Sequence, residues 1–303
     1  MAFRIQSILA GSDASEAGRD VLRTAIDFAA LTGSEIHVVY AAENTPVTNG
    51  SGADPVEAAA ERLRAQVRQA TSRGGKLASL RVVPGAAHEV ILRRAEEVRA
   101  DLIVVGPHRG APDERGDLGT TADKIVRTSS QPCLIVRGLV SLPLRSVLVP
   151  TDLSSAAQGA LDLALNWASA LRVRTGNDEE TRLDVLHVLT DPSTRTQAER
   201  TLQDEVVAAG KRTGSSSLLR ANRDVVETNA AADEILRRAK DGQVDLLVLG
   251  THGGSAMERS HIGSVSSEVA RRAECALLLA PPGWWQVRQA REKMLNGGST
   301  DSA

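Results

Sequence analysis

The sequence predicts an α/β protein made of two tandem doubly wound domains, each a five-stranded parallel sheet with helices on both faces. Three observations carry this. First, Asp-Leu-Ile-Val-Val-Gly at 101–106 returns as Asp-Leu-Leu-Val-Leu-Gly at 245–250, a shift of 144 positions. The same shift carries Ile91-Leu92-Arg93-Arg94-Ala95 onto Ile235-Leu236-Arg237-Arg238-Ala239, and Gly119-Thr120 onto Gly263-Ser264. A period that long marks a duplicated domain, not a solenoid unit. Second, short apolar runs alternate with segments of helical periodicity, the pattern of a parallel sheet covered on both faces. Third, a length of 303 residues suits about two domains, each able to close its own core.

The elements follow in order. In the first half, Ile5 to Ala10 is an apolar strand that ends in Gly11-Ser12-Asp13. Ser15 is placed to cap a helix running to Leu31, with Val21, Leu22, Ala25, Ile26 and Ala29 on one face and Gly33 as the stop. Ile36 to Ala41 is a strand, and Glu43 to Asp54 a loop of Pro, Asn, Gly and Ser. Pro55 to Ser72 is a charged amphipathic helix with a solvated face, stopped by Gly74-Gly75. Leu77 to Val83 is a strand and His88 to Val98 a helix. Asp101 to Val105 is a buried strand, Gly119 to Ser129 a helix and Cys133 to Val136 the last strand.

The second half repeats this order. Val147 to Val149 leads into Pro150-Thr151-Asp152, and Ser154 is placed to cap a helix to about Leu171. Strands are expected at Leu183–Leu189, Leu218–Val226, Asp245–Leu249 and Ala276–Leu279. Helices are expected at Thr196–Ala209, Asp233–Lys240 and Gly263–Ala273. Pairing Asp13 with Asp152 and His37 with His187 gives shifts of 139 and 150, so about 11 extra residues fall at Arg172 to Thr181, a solvated loop. The domains are drawn at 1–140 and 144–283, joined by a short linker that favours close packing, with 284–303 as a partly disordered tail. Trp284-Trp285 is read as packing over an exposed end or anchoring a partner.

Composition narrows the function classes. A formal net charge of −2 offers no bulk attraction to nucleic acid or to an anionic membrane. No apolar run reaches the length of a transmembrane helix, and the first residues lack the pattern of a signal peptide, so a cytoplasmic location is expected. The two cysteines, Cys133 and Cys275, read as inert buried thiols. Aromatic residues make up only 2% of the chain, so its cores must be aliphatic.

The chemistry gathers at the strand ends. Ligands of open parallel sheets bind beyond the carboxyl ends of the strands, where the strand order reverses. If the first and fourth strands of the second half meet there, Asp152 faces the loop Gly250-Thr251-His252-Gly253, which ends nine residues later at Gly263-Ser264. Asp152 can accept hydrogen bonds from a base or sugar; glycines let backbone N–H groups approach phosphate oxygens; Gly263-Ser264 opens a helix whose dipole favours an anion. There is no Gly-x4-Gly-Lys-Ser/Thr loop, no Gly-x-Ser-x-Gly elbow and no zinc-type spacing. No residue is placed as a general base for phosphoryl transfer, so no enzyme activity beyond slow ATP hydrolysis is expected.

Val-Pro-Thr-Asp-Leu-Ser at 149–154, followed by Gly-x2-Gly-x9-Gly-Ser at 250–264, resembles the universal stress protein family, and most closely its ATP-binding branch. The resemblance covers residues 3–137 and 145–281 and implies a tandem member with strand order 3-2-1-4-5 in each half. It implies ATP as ligand, with ADP or AMP as alternatives and Mg as a companion. Pro150, Thr151, Asp152 and Val188 would line the base and ribose. Gly250, His252 and Gly253 would run along the ribose and phosphates, and Gly263, Ser264, Val265 and Ser266 would hold the phosphates. It also implies that the halves pair within the chain through their last strands, around Cys133–Val136 and Ala276–Leu279; a further homodimer and the protein partner are left open.

The first half departs from the pattern. Asp13, Gly106, Gly119 and Thr120 are in register, but Arg109 stands where the middle glycine belongs. Loop 107–118 also carries Asp113, Glu114 and Asp117, which disfavour a polyphosphate. The second half is therefore expected to bind nucleotide and the first weakly or not at all, with Arg109 reaching a phosphate as the alternative. Competing readings are structural. Asp13 and Asp152 could merely start helices, His37 and His187 could be hydrogen-bonded core residues, and His108 and His252 correspond within the Gly loops. The functional reading is a stress-response regulator or sensor that binds adenine nucleotide, with a non-binding interaction scaffold or a slow ATPase as the alternatives.

Overall fold

The computed structural model describes residues 5–43, 55–71, 76–107, 118–140, 142–175, 181–214, 221–253, 262–284 and 286. In the first half the elements are β1 (Ser7–Gly11), α1 (Glu16–Thr32), β2 (Glu35–Ala42), α2 (Pro55–Thr71), β3 (Lys76–Pro84), α3 (Ala87–Glu97), β4 (Leu102–Val105), α4 (Thr120–Thr128) and β5 (Cys133–Ile135). In the second half they are β6 (Ser146–Thr151), α5 (Gln158–Thr175), β7 (Arg182–Leu189), α6 (Arg195–Thr213), β8 (Asn222–Glu227), α7 (Ala231–Asp241), β9 (Leu246–Gly250), α8 (Ser264–Arg272) and β10 (Ala276–Ala280). A 3-10 turn that the sequence pattern does not announce, Pro192–Thr194, leads into α6.

The local devices explain why these segments form. Ser15 accepts from Gly18 N and caps α1, while Gly33 closes that helix in the left-handed region. β4, β9 and β10 are buried at every position, as strands covered on both faces must be.

As the resemblance implies, the two five-stranded halves pair through their last strands, and the strands form one ten-stranded sheet in the order β3-β2-β1-β4-β5-β10-β9-β6-β7-β8. Read inward from its outer edge, each half keeps the expected order 3-2-1-4-5. The halves join where β5 and β10 run antiparallel, with Cys133 opposite Leu279, Leu134 opposite Leu278 and Ile135 opposite Leu277. An open edge at either last strand would leave a row of unpaired N–H and C=O groups, and mutual pairing removes both edges at once. The core is continuous across the joint on both faces of the sheet. On one face Phe28 of α1 meets Trp167 of α5, ring centroids 4.8 Å apart and tilted 49°.

Three sequence expectations are corrected. The loop placed at Arg172–Thr181 begins later, because α5 continues through Thr175; Arg172-Val173-Arg174-Thr175 contains no breaker, and Gly176 is the first. Ser154 does not start α5 directly. Its hydroxyl accepts from Ala157 N, closing a turn, and the helix begins at Gln158. The two strand histidines do not share a position. His37 lies opposite Leu9, whereas His187 lies opposite Thr151. β7 begins 147 residues after β2, Arg182 against Glu35, while Asp152 follows Asp13 by 139, so eight residues are inserted, not eleven. Both histidines are hydrogen-bonded, His37 Nδ1 to Ser79 Oγ at 2.8 Å and His187 Nδ1 to Thr151 O at 2.9 Å.

Trp284, assigned to the tail from sequence, is buried against α5 and donates from Nε1 to Gly159 O at 3.0 Å. Trp285 and residues 287–303 lie outside the described residues. A Cβ on Gly159 would sit 2.9 Å from Trp284 Nε1 and 3.0 Å from Cδ1. Gly159→Ala should push the indole off the helix, costing about 1–3 kcal/mol and shifting tryptophan emission to the red; an unchanged spectrum and melting point would contradict the contact.

Asp162 on α5 is buried, and Arg212 of α6 reaches it with Nε and Nη2 at 2.9–3.2 Å. Burial pushes its carboxyl above the usual range, and Arg212 pulls less strongly the other way. A raised folded-state value means that protonation favours the native state. That contribution is present at low pH and lost as pH rises through the folded value. Asp162→Asn, which cannot ionise, should therefore gain stability relative to wild type between about pH 4 and pH 7. Urea unfolding at both ends of that window measures it, and a gap independent of pH would contradict it.

Candidate nucleotide-binding crevice

The site is created where two neighbouring strands part. β6 pairs with β9 only at Val147–Leu246 and Leu148–Leu247, although both strands run further. Pro150 has no N–H to extend the ladder. Beyond that point β6 turns sharply. Leu153, directly after Asp152, takes φ of +62°, as Ala14 after Asp13 takes +58°. A non-glycine residue in this region is uncommon and is held by its surroundings. Asp152 Oδ1 accepts from Ser154 N at 2.9 Å, and Thr151 Oγ1 accepts from Leu153 N at 3.1 Å. The Asp is thus a turn-former, in line with its structural reading, and it also lines the opening between β6 and β9.

The loop after β9 is closed at its base. Thr251 N donates to Ala280 O at 2.9 Å, Gly263 N to Thr251 O at 2.8 Å, and Ser266 Oγ to Gly250 O at 2.7 Å. Residues 254–261 lie outside the described residues. The resulting crevice is about 150 Å³. All eleven second-half residues singled out from sequence line it: Pro150, Thr151, Asp152, Val188, Gly250, His252, Gly253, Gly263, Ser264, Val265 and Ser266. Sequence reading missed its apolar walls, Ala157, Leu186, Ala231, Ile235 and Leu249. Two signals were available. Leu186 stands two residues before Val188 on the same face of a strand, and Ile235 belongs to the repeated Ile-Leu-Arg-Arg-Ala run.

The glycines differ in what they require. A Cβ on Gly253 would lie 2.5 Å from Asp152 Oδ2, so a side chain there displaces the carboxylate. A Cβ on Gly250 would press at 3.3 Å on Ala157 Cα and His252 O. Gly263 has only ordinary contacts, the nearest at 3.6 Å, so protein packing does not demand glycine there. Gly263 is the N-cap of α8, makes no side-chain cap bond, and is followed by a first turn free of acidic residues. That leaves N–H groups and a positive dipole end at the crevice. His252 is buried, its Nδ1 2.8 Å from Thr251 Oγ1, and its Nε2 is buried without a protein partner among the described residues. Buried polar atoms are nearly always satisfied.

The first half keeps the frame and changes the contents. Its crevice is larger, about 280 Å³, and includes Asp13, Gly106, Gly119 and Thr120. Arg109, His108 and the acids at 113, 114 and 117 lie outside the described residues. Asp13 Oδ1 accepts from both the N–H and the hydroxyl of Ser15. Glu43, read from sequence only as the start of a loop, lines this crevice and accepts from Ala87 N at the start of α3. The 147-residue strand shift puts Thr190 at its counterpart. The first turn of α4 also carries Asp123, where α8 has Ser267. Glu43 thus places a carboxylate where the second half has a neutral hydroxyl, whereas Asp123 is paired with Arg127 at 2.8 Å and is not among the residues lining the crevice.

No helix among the described residues is long and apolar enough to cross a membrane. Among the described residues no group of three His, Cys, Asp or Glu could hold a metal ion. Burial pushes the thiols of Cys133 and Cys275 up to about 12 and about 11, so both stay protonated.

Fold and crevice together define a tandem doubly wound protein with a glycine-rich loop at each switch point. The chain belongs to the universal stress protein family, whose sequence profile matches it twice, at residues 4–137 and 143–281. It is similar to universal stress protein Slr1230 of Synechocystis, 28% identical over 183 residues, which are 59% of this chain but only 57% of that protein. It is also 27% identical over 150 residues to universal stress protein YxiE of Bacillus subtilis, spanning 44% of this chain and 96% of that one. A universal stress protein structure from Archaeoglobus fulgidus aligns over 93% of this chain and 98% of its own, with a TM-score of 0.67 at 21% identity, a likeness of fold.

Proposed function

We propose that the chain binds one adenine nucleotide, ATP foremost with ADP and AMP as competitors, in its second half, and acts in the cytoplasm as a stress-response regulator or sensor, not as an enzyme. The observation that carries the reading is the setting of Gly253. The absent Cβ leaves room for the Asp152 carboxylate beside the loop, and the uncapped α8 N-terminus completes the opening. In this reading Asp152 accepts from the ribose or base, and Leu186, Val188 and Ile235 cover the base. The N–H groups of the α8 first turn hold the phosphates. His252 Nε2 finds its missing partner in the ligand. Mg, where it accompanies ATP, would be held chiefly by the phosphates. The domain limits of 1–140 and 144–283 belong to this proposal, with the first as a degenerate nucleotide domain.

The test is equilibrium dialysis of the full chain against ATP with Asp152→Ala as the comparison. The reading expects saturable binding by wild type and at least tenfold weaker binding by the variant, about 1.4 kcal/mol. Equal retention by both proteins would refute the site. No retention by a folded wild type would favour an interaction scaffold.

A further inference from the structure

Arg137 crosses the joint. It follows β5 of the first half, and its guanidinium reaches the far end of α8 in the second half. Nη2 donates to Ala270 O at 2.6 Å and, more weakly, to Arg271 O at 3.5 Å. Both carbonyls belong to the last turn of α8, where carbonyls lack helical partners and the dipole is negative. Arg137 is half-buried, so its charge is screened less than that of an exposed group. The backbone that carries it is held on both sides. Val136 N donates to Val105 O at 2.9 Å, and Ile135 stands opposite Leu277 across the joint.

α8 is nine residues long, and its N-terminus opens the second crevice. From Ala270 back to Ser264 is about 9 Å. Over so short a span a helix moves as a rod, and a shift at one end is felt at the other. Ser266 Oγ to Gly250 O and Arg272 to Asp233 tie α8 within the second half. Arg137 adds a tie from the first half. That tie has no twin. The 144-residue shift puts Pro281 at the counterpart of Arg137, and Val126 and Arg127 of α4 at the counterparts of Ala270 and Arg271. Proline has no side-chain donor, so α4 receives no such bond from position 281. The support runs one way, toward the half that keeps all three loop glycines.

We propose, resting on the nucleotide reading of the second half, that Arg137 of the first half is a positioning residue for the nucleotide phosphates. By holding the last turn of α8 it sets where the N–H groups of the first turn point. Phosphate oxygens need those donors placed to within about 0.5 Å. The cation also complements the negative end of the dipole whose positive end faces the phosphates. Base and ribose lie against Asp152, Leu186, Val188 and Ile235, none of them on α8, and do not depend on this tie. The first half thus serves the second crevice although its own loop has lost the middle glycine.

The test uses the full chain and two variants. Arg137→Met keeps an apolar stem without donor or charge, and Arg137→Lys keeps a cation. ATP is titrated by calorimetry, adenosine is read as its competitor, and unfolding midpoints are measured alongside. Arg137→Met should bind ATP about fivefold more weakly and adenosine as wild type does, while Arg137→Lys should recover most of the loss. A merely structural role would lower the midpoint without separating the two ligands. ATP affinity in Arg137→Met equal to wild type, or equal losses for ATP and adenosine, would overturn the proposal and leave the nucleotide reading standing. A folded wild type that binds no ATP would remove both.

Discussion

Gly253→Arg, which copies Arg109 of the first half, should reduce ATP affinity at least about 100-fold, about 2.7 kcal/mol. The loss has two sources. Any Cβ at this position lands 2.5 Å from Asp152 Oδ2, so the carboxylate must swing away, and its bond to Ser154 N is put at risk. The guanidinium then occupies the strip that ligand would need. Gly253→Ala separates these effects. It keeps the displacement of Asp152 but adds no long side chain, and should show an intermediate loss. Calorimetric titration of the three proteins, with unfolding midpoints as a check on fold, decides the matter. If Gly253→Arg binds ATP as wild type does, the loop does not hold phosphate.

The second large effect concerns the joint between the halves. Phe28→Ala should cost about 3–5 kcal/mol, a large part of the stability of an ordinary domain. All three tryptophans of the chain lie in the second half, at 167, 284 and 285, so their emission reports that half alone. Phe28 belongs to the first half but packs on Trp167 across the joint. With one sheet and cores continuous on both faces, the halves should unfold together. The mutation in the first half should therefore lower the urea midpoint seen by tryptophan emission in step with that seen by circular dichroism. A tryptophan midpoint that stays at the wild-type value would mean that the halves unfold independently.

Much of this architecture is legible because duplication doubles every signal. The repeated Asp-Leu-x-Val-x-Gly strands mark β4 and β9, and the serine cap and glycine stop mark α1. Pairing through the last strands follows from the family resemblance. That pairing unites the halves in a single sheet; its antiparallel sense and register are set in three dimensions and are not legible from the residues alone. Register is easily misjudged because two histidines look equivalent. Spacing along the chain cannot reveal which strand residues stand opposite each other when an insertion lies between helix and strand. The length of α5 is underestimated when charge is taken as loop, although arginine is a good helix former. At the site, the remaining predicted residues follow from the family resemblance, while Asp152 and the glycines at 250, 253 and 263 are legible from strand ends and loop spacing. Glu43 is not, since nothing in sequence links it to the start of α3, 44 residues later. That contact strengthens the asymmetry first inferred from Arg109, because it adds a carboxylate to the first crevice.

The central claim is that one half binds nucleotide and the other does not. The direct measurement is the stoichiometry of ATP binding, by calorimetry on full-length protein stripped of bound ligand. The account predicts one ATP per chain, lost in Gly253→Arg. Two ATP per chain would contradict it, because the first crevice would then accept nucleotide despite Glu43 and Arg109.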